Sequence, residues 1–77
     1  MTTTILGVSL ENRLENALKF QRIVTEFGCE IRTRIGIHPA LSEVCLNRGI
    51  VLLEVKGDGE GLIEKLKEYW DVQKMIF

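Results

Sequence analysis

The residues best suited to chemistry in this chain are a histidine, a cysteine and two arginines within one short segment, RIGIHPALSEVCLNRGI. The segment starts at Arg34 and contains His38, the sole histidine, and Cys45, one of the two cysteines. Imidazole and thiolate groups bind zinc, nickel and copper, and they also serve as the base and the nucleophile of cysteine-dependent catalysis. The pair is therefore a candidate for a metal site or a catalytic site.

Neither chemistry is complete within one copy of the chain. A tetrahedral metal site needs four donors, and a catalytic cysteine needs a recognisable motif and a third group that orients its histidine. We therefore expect no enzyme and no cofactor. A metal site that uses His38 and Cys45 from neighbouring subunits stays open, beside the alternative that His38 hydrogen-bonds its loop and Cys45 fills an apolar gap.

Two arginines precede the histidine, one at the start of this segment and one just before it. Arg32 and Arg34 lie two positions apart, a spacing that places both on one face of a strand, where together they can bind a carboxylate or a phosphate. The competing interpretation is that they solvate an edge strand or pair with Glu30 and Glu54 across the sheet.

Length and composition limit the architecture. A chain of 77 residues builds one core, so we expect one domain over residues 1–77. Its 45% hydrophobic and 27% charged residues are ordinary for a globular protein. The net charge of −1 provides no field that attracts a polyanion, so direct nucleic-acid binding is not expected.

The N-terminal segment MTTTILGVSL lacks a basic start and a long apolar core. The longest apolar run, from Ile50 to Leu53, is far below the roughly 20 residues that cross a bilayer. We therefore expect a cytoplasmic protein with reduced thiols and no membrane contact.

The hydrophobic periodicity predicts six elements, with strands at period two and helices at spacings of three and four. They are a strand at Thr3–Leu10, a helix over 11–28, strands at Cys29–Ile37 and Gly49–Gly57, a helix that Asp58 caps, and a closing strand in DVQKMIF. The third strand is apolar on both faces through Ile50–Leu53, which indicates a central position. The second strand is expected to bury the face that carries Ile31, Thr33, Ile35 and Ile37.

The first helix is expected to have the widest apolar stripe. Asn12 is the candidate N-cap with Glu15 completing a capping box, and Gly28 is the expected residue just past the helix end. The expected stripe consists of Leu14, Ala17, Leu18, Phe20, Ile23, Val24 and Phe27. In the second helix the stripe is Leu62, Ile63, Leu66 and either Tyr69 or Trp70.

The element order β-α-β-β-α-β predicts an α+β, ferredoxin-like sandwich with two helices on one face of a four-stranded antiparallel sheet. Right-handed crossovers place the first and third strands in the centre. The other sheet face then lacks a helix and carries Ile5, Ile50, Leu52, Met75 and Phe77. An exposed apolar face of that extent usually marks an interface.

The motifs RTRIGIH, CLNRGIVLLEVKGD and WDVQKMIF make the chain from Ile5 to Phe77 resemble the iron-only hydrogenase system regulators. Members of that family look like relatives of the ACT domain and of the C-terminal sensing domain of the nickel-responsive repressor. The resemblance implies an ACT-like fold without a DNA-binding arm and effectors at subunit interfaces. In the nickel-sensing relative, histidines and a cysteine bind metal between subunits, whereas this chain has one histidine.

The residues and the resemblance together predict a non-enzymatic regulatory module, linked to the iron-only hydrogenase system, that forms a homodimer or homotetramer. A small-molecule effector is expected near the loop from Ile37 to Arg48. The candidate effector-binding residues are Arg34, Gly36, His38, Cys45 and Arg48. The alternatives are a metal sensor that uses His38 and Cys45, and a ligand-free module whose apolar sheet face docks another protein.

Overall fold

The computed structural model describes residues 2–11, 13–37 and 48–77. The predicted Asn12 cap, His38, Cys45 and the rest of the loop 38–47 lie outside the described residues, as do the predicted roles of the Leu14 and Glu15 side chains. The elements are β1 (Thr4–Glu11), α1 (Arg13–Glu26), a short 3-10 turn (Gly28–Glu30), β2 (Ile31–Ile37), β3 (Arg48–Val55), α2 (Glu60–Lys67) and β4 (Asp71–Ile76).

The four strands form one antiparallel sheet in the order β2, β3, β1, β4. The central strands are β1 and β3, as the sequence predicts, and Val8 on β1 lies opposite Val51 on one side and Val72 on the other. With α1 after β1 and α2 after β3, the arrangement is the predicted ferredoxin-like βαββαβ fold. The fold prediction is confirmed.

Both helices contribute to a single core on one face of the sheet. Leu6 and Leu53 face each other across β1 and β3 and are fully buried. The ring of Phe20 on α1 meets Trp70 edge-on with 5.6 Å between the ring centroids, which joins the first helix to the end of the second. The core residues are Leu6, Val8, Leu10, Phe20, Ile23, Val24, Val51, Leu53, Val55, Leu62, Ile63 and Leu66.

The buried face of α1 is narrower than the sequence predicts. Phe20, Ile23 and Val24 are buried, but the side chain of Leu18 is 79% exposed and Ala17 is also exposed. At 3.6 residues per turn, the two positions from Leu18 to Phe20 correspond to a rotation of about 200°, so the two side chains leave opposite sides of the helix. The prediction that Leu18 and Ala17 belong to the core is wrong.

Gly28 lies just past the end of α1, as the sequence predicts, but it starts the 3-10 turn and is not among the described glycines with positive φ, which are Gly57 and Gly59. The predicted start of β2 at Cys29 is wrong. Cys29 lies in the same turn, where its thiol is free and exposed, and β2 starts two residues later at Ile31.

The strand β2 does not bury one face as predicted. The pairing with β3 shifts by one residue between Ile31 and Thr33, so Ile31 faces the helices opposite Val55 whereas Ile35 and Ile37 point to the opposite side of the sheet. Ile35 is 51% exposed and Ile37 is 42% exposed. The alternating pattern identified the strand correctly, but the irregularity transfers most of its apolar residues to the uncovered face.

The turn before α2 depends on a glycine with no room for a side chain. Asp58 Oδ1 accepts a hydrogen bond from the Glu60 backbone N–H at 3.1 Å at the start of α2. Gly59, with φ of 66°, occupies the N-cap position that the sequence analysis assigns to Asp58, so that prediction is wrong by one residue. A Cβ at Gly59 would lie 2.8 Å from Cγ2 of Val55. Gly57 has the same φ but no atom within 4 Å of such a Cβ.

These differences predict a ranking of three alanine variants by the loss in their free energy of unfolding. Gly57→Ala is expected to lower the free energy of unfolding by about 1 kcal/mol through backbone strain alone. Gly59→Ala adds the overpacking against Val55 and is expected to cost about 1 to 3 kcal/mol more. Gly28→Ala, which has neither problem, serves as the control. Urea unfolding followed by the fluorescence of Trp70 measures all three, and equal losses for Gly57→Ala and Gly59→Ala would contradict the described turn.

Candidate functional site

A groove opens between α1 and the edge strand β2 on the helix-bearing side of the sheet, and we call it the α1–β2 groove. Its volume of about 430 Å³ lies within the range of small-molecule sites. The polar side chains of its described lining are Gln21 and Arg34, and the glycines are Gly36 and Gly49. Its apolar lining residues are Leu10, Ala17, Leu18, Phe20, Ile37, Ile50 and Val51.

The groove exists because α1 directs its large side chains toward the central strands rather than toward β2. Phe20, Leu10 and Val51 are buried and form the floor. On this side of the sheet β2 presents Arg34 and Gly36, which pair with Leu53 and Val51. A Cβ at Gly36 would meet nothing within 4 Å, so the absence of a side chain there leaves the groove open.

Two contacts from α1 hold the guanidinium of Arg34 at the wall of the groove. Its Nη1 donates a hydrogen bond to Oε1 of Gln21 at 2.7 Å. Its central carbon lies 5.4 Å from the centroid of the Phe20 ring, within the range of a cation–π contact. The arginine is therefore oriented by two neighbours, neither of which is a carboxylate, and no ion pair of Arg34 occurs among the described residues.

The predicted cross-strand ion pairs of the two arginines are absent from the described part of the chain. Neither Arg32 nor Arg34 pairs there with Glu30 or Glu54, and Glu54 instead accepts a hydrogen bond from Oγ1 of Thr33 at 2.8 Å. The irregularity between Ile31 and Thr33 leaves Arg32 without a partner in the ladder. Arg32 is also not part of the described groove lining, so the two arginines do not act as one clamp.

The structure brings two of the five predicted effector-binding residues together. Arg34 and Gly36 both line the groove, and Ile37, the start of the predicted effector loop, lies at its rim. Arg48 starts β3 opposite Glu11 at the other end of that loop. The roles of His38 and Cys45 lie outside the described residues, so the intersubunit metal site stays a prediction.

Sequence reasoning missed the contribution of α1 to this site. Phe20 and Leu18 were assigned to a core stripe, and Gln21 was assigned no role, yet all three line the groove. The available signal was the spacing of Ala17, Leu18 and Gln21. Gln21 follows Ala17 by four residues and Leu18 by three, so the three side chains are neighbours on the helix surface. That pattern does not show which strand lies opposite.

The second notable surface is the sheet face without helices, which we call the open face. The predicted residues Ile5, Ile50, Leu52 and Met75 lie on it, and the irregularity in β2 adds Ile35 and Ile37. Ile35, Leu52, Gly7 and Gln73 form its middle row, which carries no charge.

On the open face Glu54 and Asp71 lie in the rows on either side of the middle row, and the register places Glu11 and Arg48 in the row beyond Asp71. A depression of about 240 Å³ lies over Gly7, where Leu52 and Met75 form part of the wall. The open face therefore has an uncharged, largely apolar centre with polar groups toward its borders.

The described residues contain no group of three or more histidine, cysteine, aspartate or glutamate side chains that could hold a metal ion. No helix among them is both long enough and apolar enough to span a membrane.

Comparisons of the chain with protein-family models, with curated proteins and with solved structures find no match. The fold is therefore established by the strand order and the packing of the chain itself. The function has to be argued from the α1–β2 groove and the open face.

The openness of the groove can be tested by filling it. Gly36→Leu is expected to leave the free energy of unfolding unchanged or to raise it by about 0.5 to 1 kcal/mol, because a strand glycine is replaced where space is open. Urea unfolding is the measurement, with Gly28→Leu as a control in open space outside the groove. A loss of more than about 1 kcal/mol for Gly36→Leu would show that the groove is filled.

Proposed function

We propose that the protein is a non-enzymatic regulatory module that binds a small-molecule effector in the α1–β2 groove and self-associates through the open face. The observation that carries the proposal is the guanidinium of Arg34, held in the groove wall by Gln21 and Phe20 without a carboxylate partner among the described residues. An oriented charge in a concave, mostly apolar site is typical of ligand recognition.

Ligand binding is supported by how the groove is built. Its floor consists of buried side chains from α1, β1 and β3, so it is set by the core and does not depend on an exposed loop. Polar groups on rigid elements are positioned more accurately than groups on loops. The apolar floor supplies binding energy and Arg34 supplies orientation.

Self-association is supported by the open face. Ile35, Ile37 and Met75 are each at least 40% exposed there, and the middle row between the two acidic residues is uncharged. A contiguous apolar surface of this kind marks a protein interface. A small domain also gains stability when a second copy covers such a surface, because its own core is limited by its size.

Strand β2 connects the groove with the open face. Arg34 and Gly36 point into the groove, whereas Ile35 points to the open face, because successive residues of a strand alternate sides. Ile37 and Ile50 border both surfaces. An effector that favours one position of this edge strand would therefore bind one assembly state more tightly than the other. Such a difference in affinity is what regulation by a ligand requires.

The resemblance to the iron-only hydrogenase system regulators supports the same kind of function. Effectors of ACT-like domains lie at subunit interfaces, and the groove shares Ile37 and Ile50 with the face that we propose as the interface. The link to the hydrogenase system rests on that resemblance and belongs to the proposal.

Introducing a charge on the open face tests self-association. Ile35→Glu is expected to raise the dissociation constant of the oligomer at least about tenfold, because a carboxylate would be desolvated in an apolar interface. Sedimentation velocity over a range of concentrations measures the constant. Arg22→Glu, an exposed change on α1, is the control. A wild-type chain that stays monomeric at high concentration would contradict self-association and favour docking of a different protein.

The effector site is tested by native mass spectrometry of the purified protein, which reports subunit number and retained small molecules together. We expect a bound metabolite in the wild type and in Gly28→Leu, and its loss in Gly36→Leu. Retention of the same molecule by Gly36→Leu would place the ligand elsewhere and contradict the proposed site. A retained metal ion would instead favour the alternative that uses His38 and Cys45.

A further inference from the structure

The charge distribution of the groove restricts the class of its ligand, and this restriction rests on the proposed function. Among the described lining residues Arg34 is the one that carries a charge. Gln21 is neutral, and the remaining residues are apolar or glycine. A ligand that matches this lining has one negative group and a body without further charge.

The hydrogen bond to Gln21 determines which edge of the guanidinium is available. It occupies Nη1, whereas Nε and Nη2 have no partner among the described residues. These two donors form the side edge of the guanidinium, which binds the two oxygens of a carboxylate in a bidentate arrangement. The ring of Phe20 lies beneath the guanidinium and limits its rotation.

We infer that the effector is a carboxylic acid with an apolar body and no ammonium group. Its carboxylate binds the Nε and Nη2 edge of Arg34, and its body occupies the space that Gly36 leaves open above Leu10 and Val51. In this arrangement the charged end of the ligand lies against Arg34, and its apolar body lies against the apolar part of the groove lining.

Two neighbouring ligand classes fit less well. A phosphate monoester carries nearly two negative charges at neutral pH, and the described lining offers one cation to balance them. A free amino acid brings an ammonium group, which would lose its hydration in a groove whose described lining has no carboxylate. The one guanidinium in the described lining therefore favours a ligand with a single negative charge.

Three probes with one carbon skeleton separate these classes: 3-phenylpropanoate, its neutral amide, and L-phenylalanine. Titration of the uniformly ¹⁵N-labelled protein, followed through the backbone amides of Gly36 and Val51, measures each affinity at the groove. We expect the carboxylate to bind about tenfold more tightly than the amide and than the amino acid. Equal affinity for acid and amide, or tighter binding of phenylalanine, would overturn the inference.

Variants of Arg34 test whether this residue causes the preference for the acid over the amide. Arg34→Gln is expected to reduce the ratio between acid and amide to about one, and Arg34→Lys to retain part of it because the charge stays without the planar fork. Arg22→Gln is the control and is expected to retain the full ratio. A ratio that survives in Arg34→Gln would overturn the assignment.

The failure of this inference can be distinguished from the failure of the proposed function. If the amide shifts the Gly36 and Val51 signals as strongly as the acid and Gly36→Leu abolishes both effects, the groove binds ligands and the charge class is wrong. If the three probes leave both signals unchanged at millimolar concentration, the inference is overturned, while retention of a metabolite in native mass spectrometry still tests the proposed function.

Discussion

The structure depends on the burial of one face of the two central strands beneath both helices. Leu6 and Leu53 meet at the centre of that face and are fully buried, and Leu62 and Leu66 of α2 are fully buried with them. Phe20 joins α1 to the same core and to Trp70. Because the large side chains of both helices are directed at this core, the outer strand β2 is left with little cover beyond Ile31.

The uneven cover and the shift in the β2–β3 pairing together produce the two surfaces to which our proposal assigns a function. On the helix side, the uncovered stretch of β2 leaves the α1–β2 groove, with Arg34 and Gly36 in its wall. On the other side, the shift in pairing places Ile35 and Ile37 on the open face. The proposed ligand site and the proposed interface share this edge strand, which would couple effector binding to assembly.

The fold could be predicted from the sequence because strand and helix periods alternate clearly and the apolar run Ile50–Leu53 identifies a central strand. The face assignment of β2 could not, since a shift of one residue in the pairing is a property of two strands together. The prediction for Leu18 was wrong because the spacing of apolar residues along a helix does not show which side of the helix faces the core. Arg34 and Gly36 could be predicted as site residues because they belong to the motif RTRIGIH beside His38. The roles of Gln21 and Phe20 could not, because they depend on how α1 packs against the sheet.

A crystal structure of the protein as purified tests the central claim most directly, because it shows the groove, the open face and any retained molecule together. We expect density for a small molecule in the α1–β2 groove against Arg34, and a second copy related by a two-fold axis that covers Ile35 and Leu52 on the open face. A groove filled by the side chains of the protein itself, with the open face in contact with solvent, would contradict it.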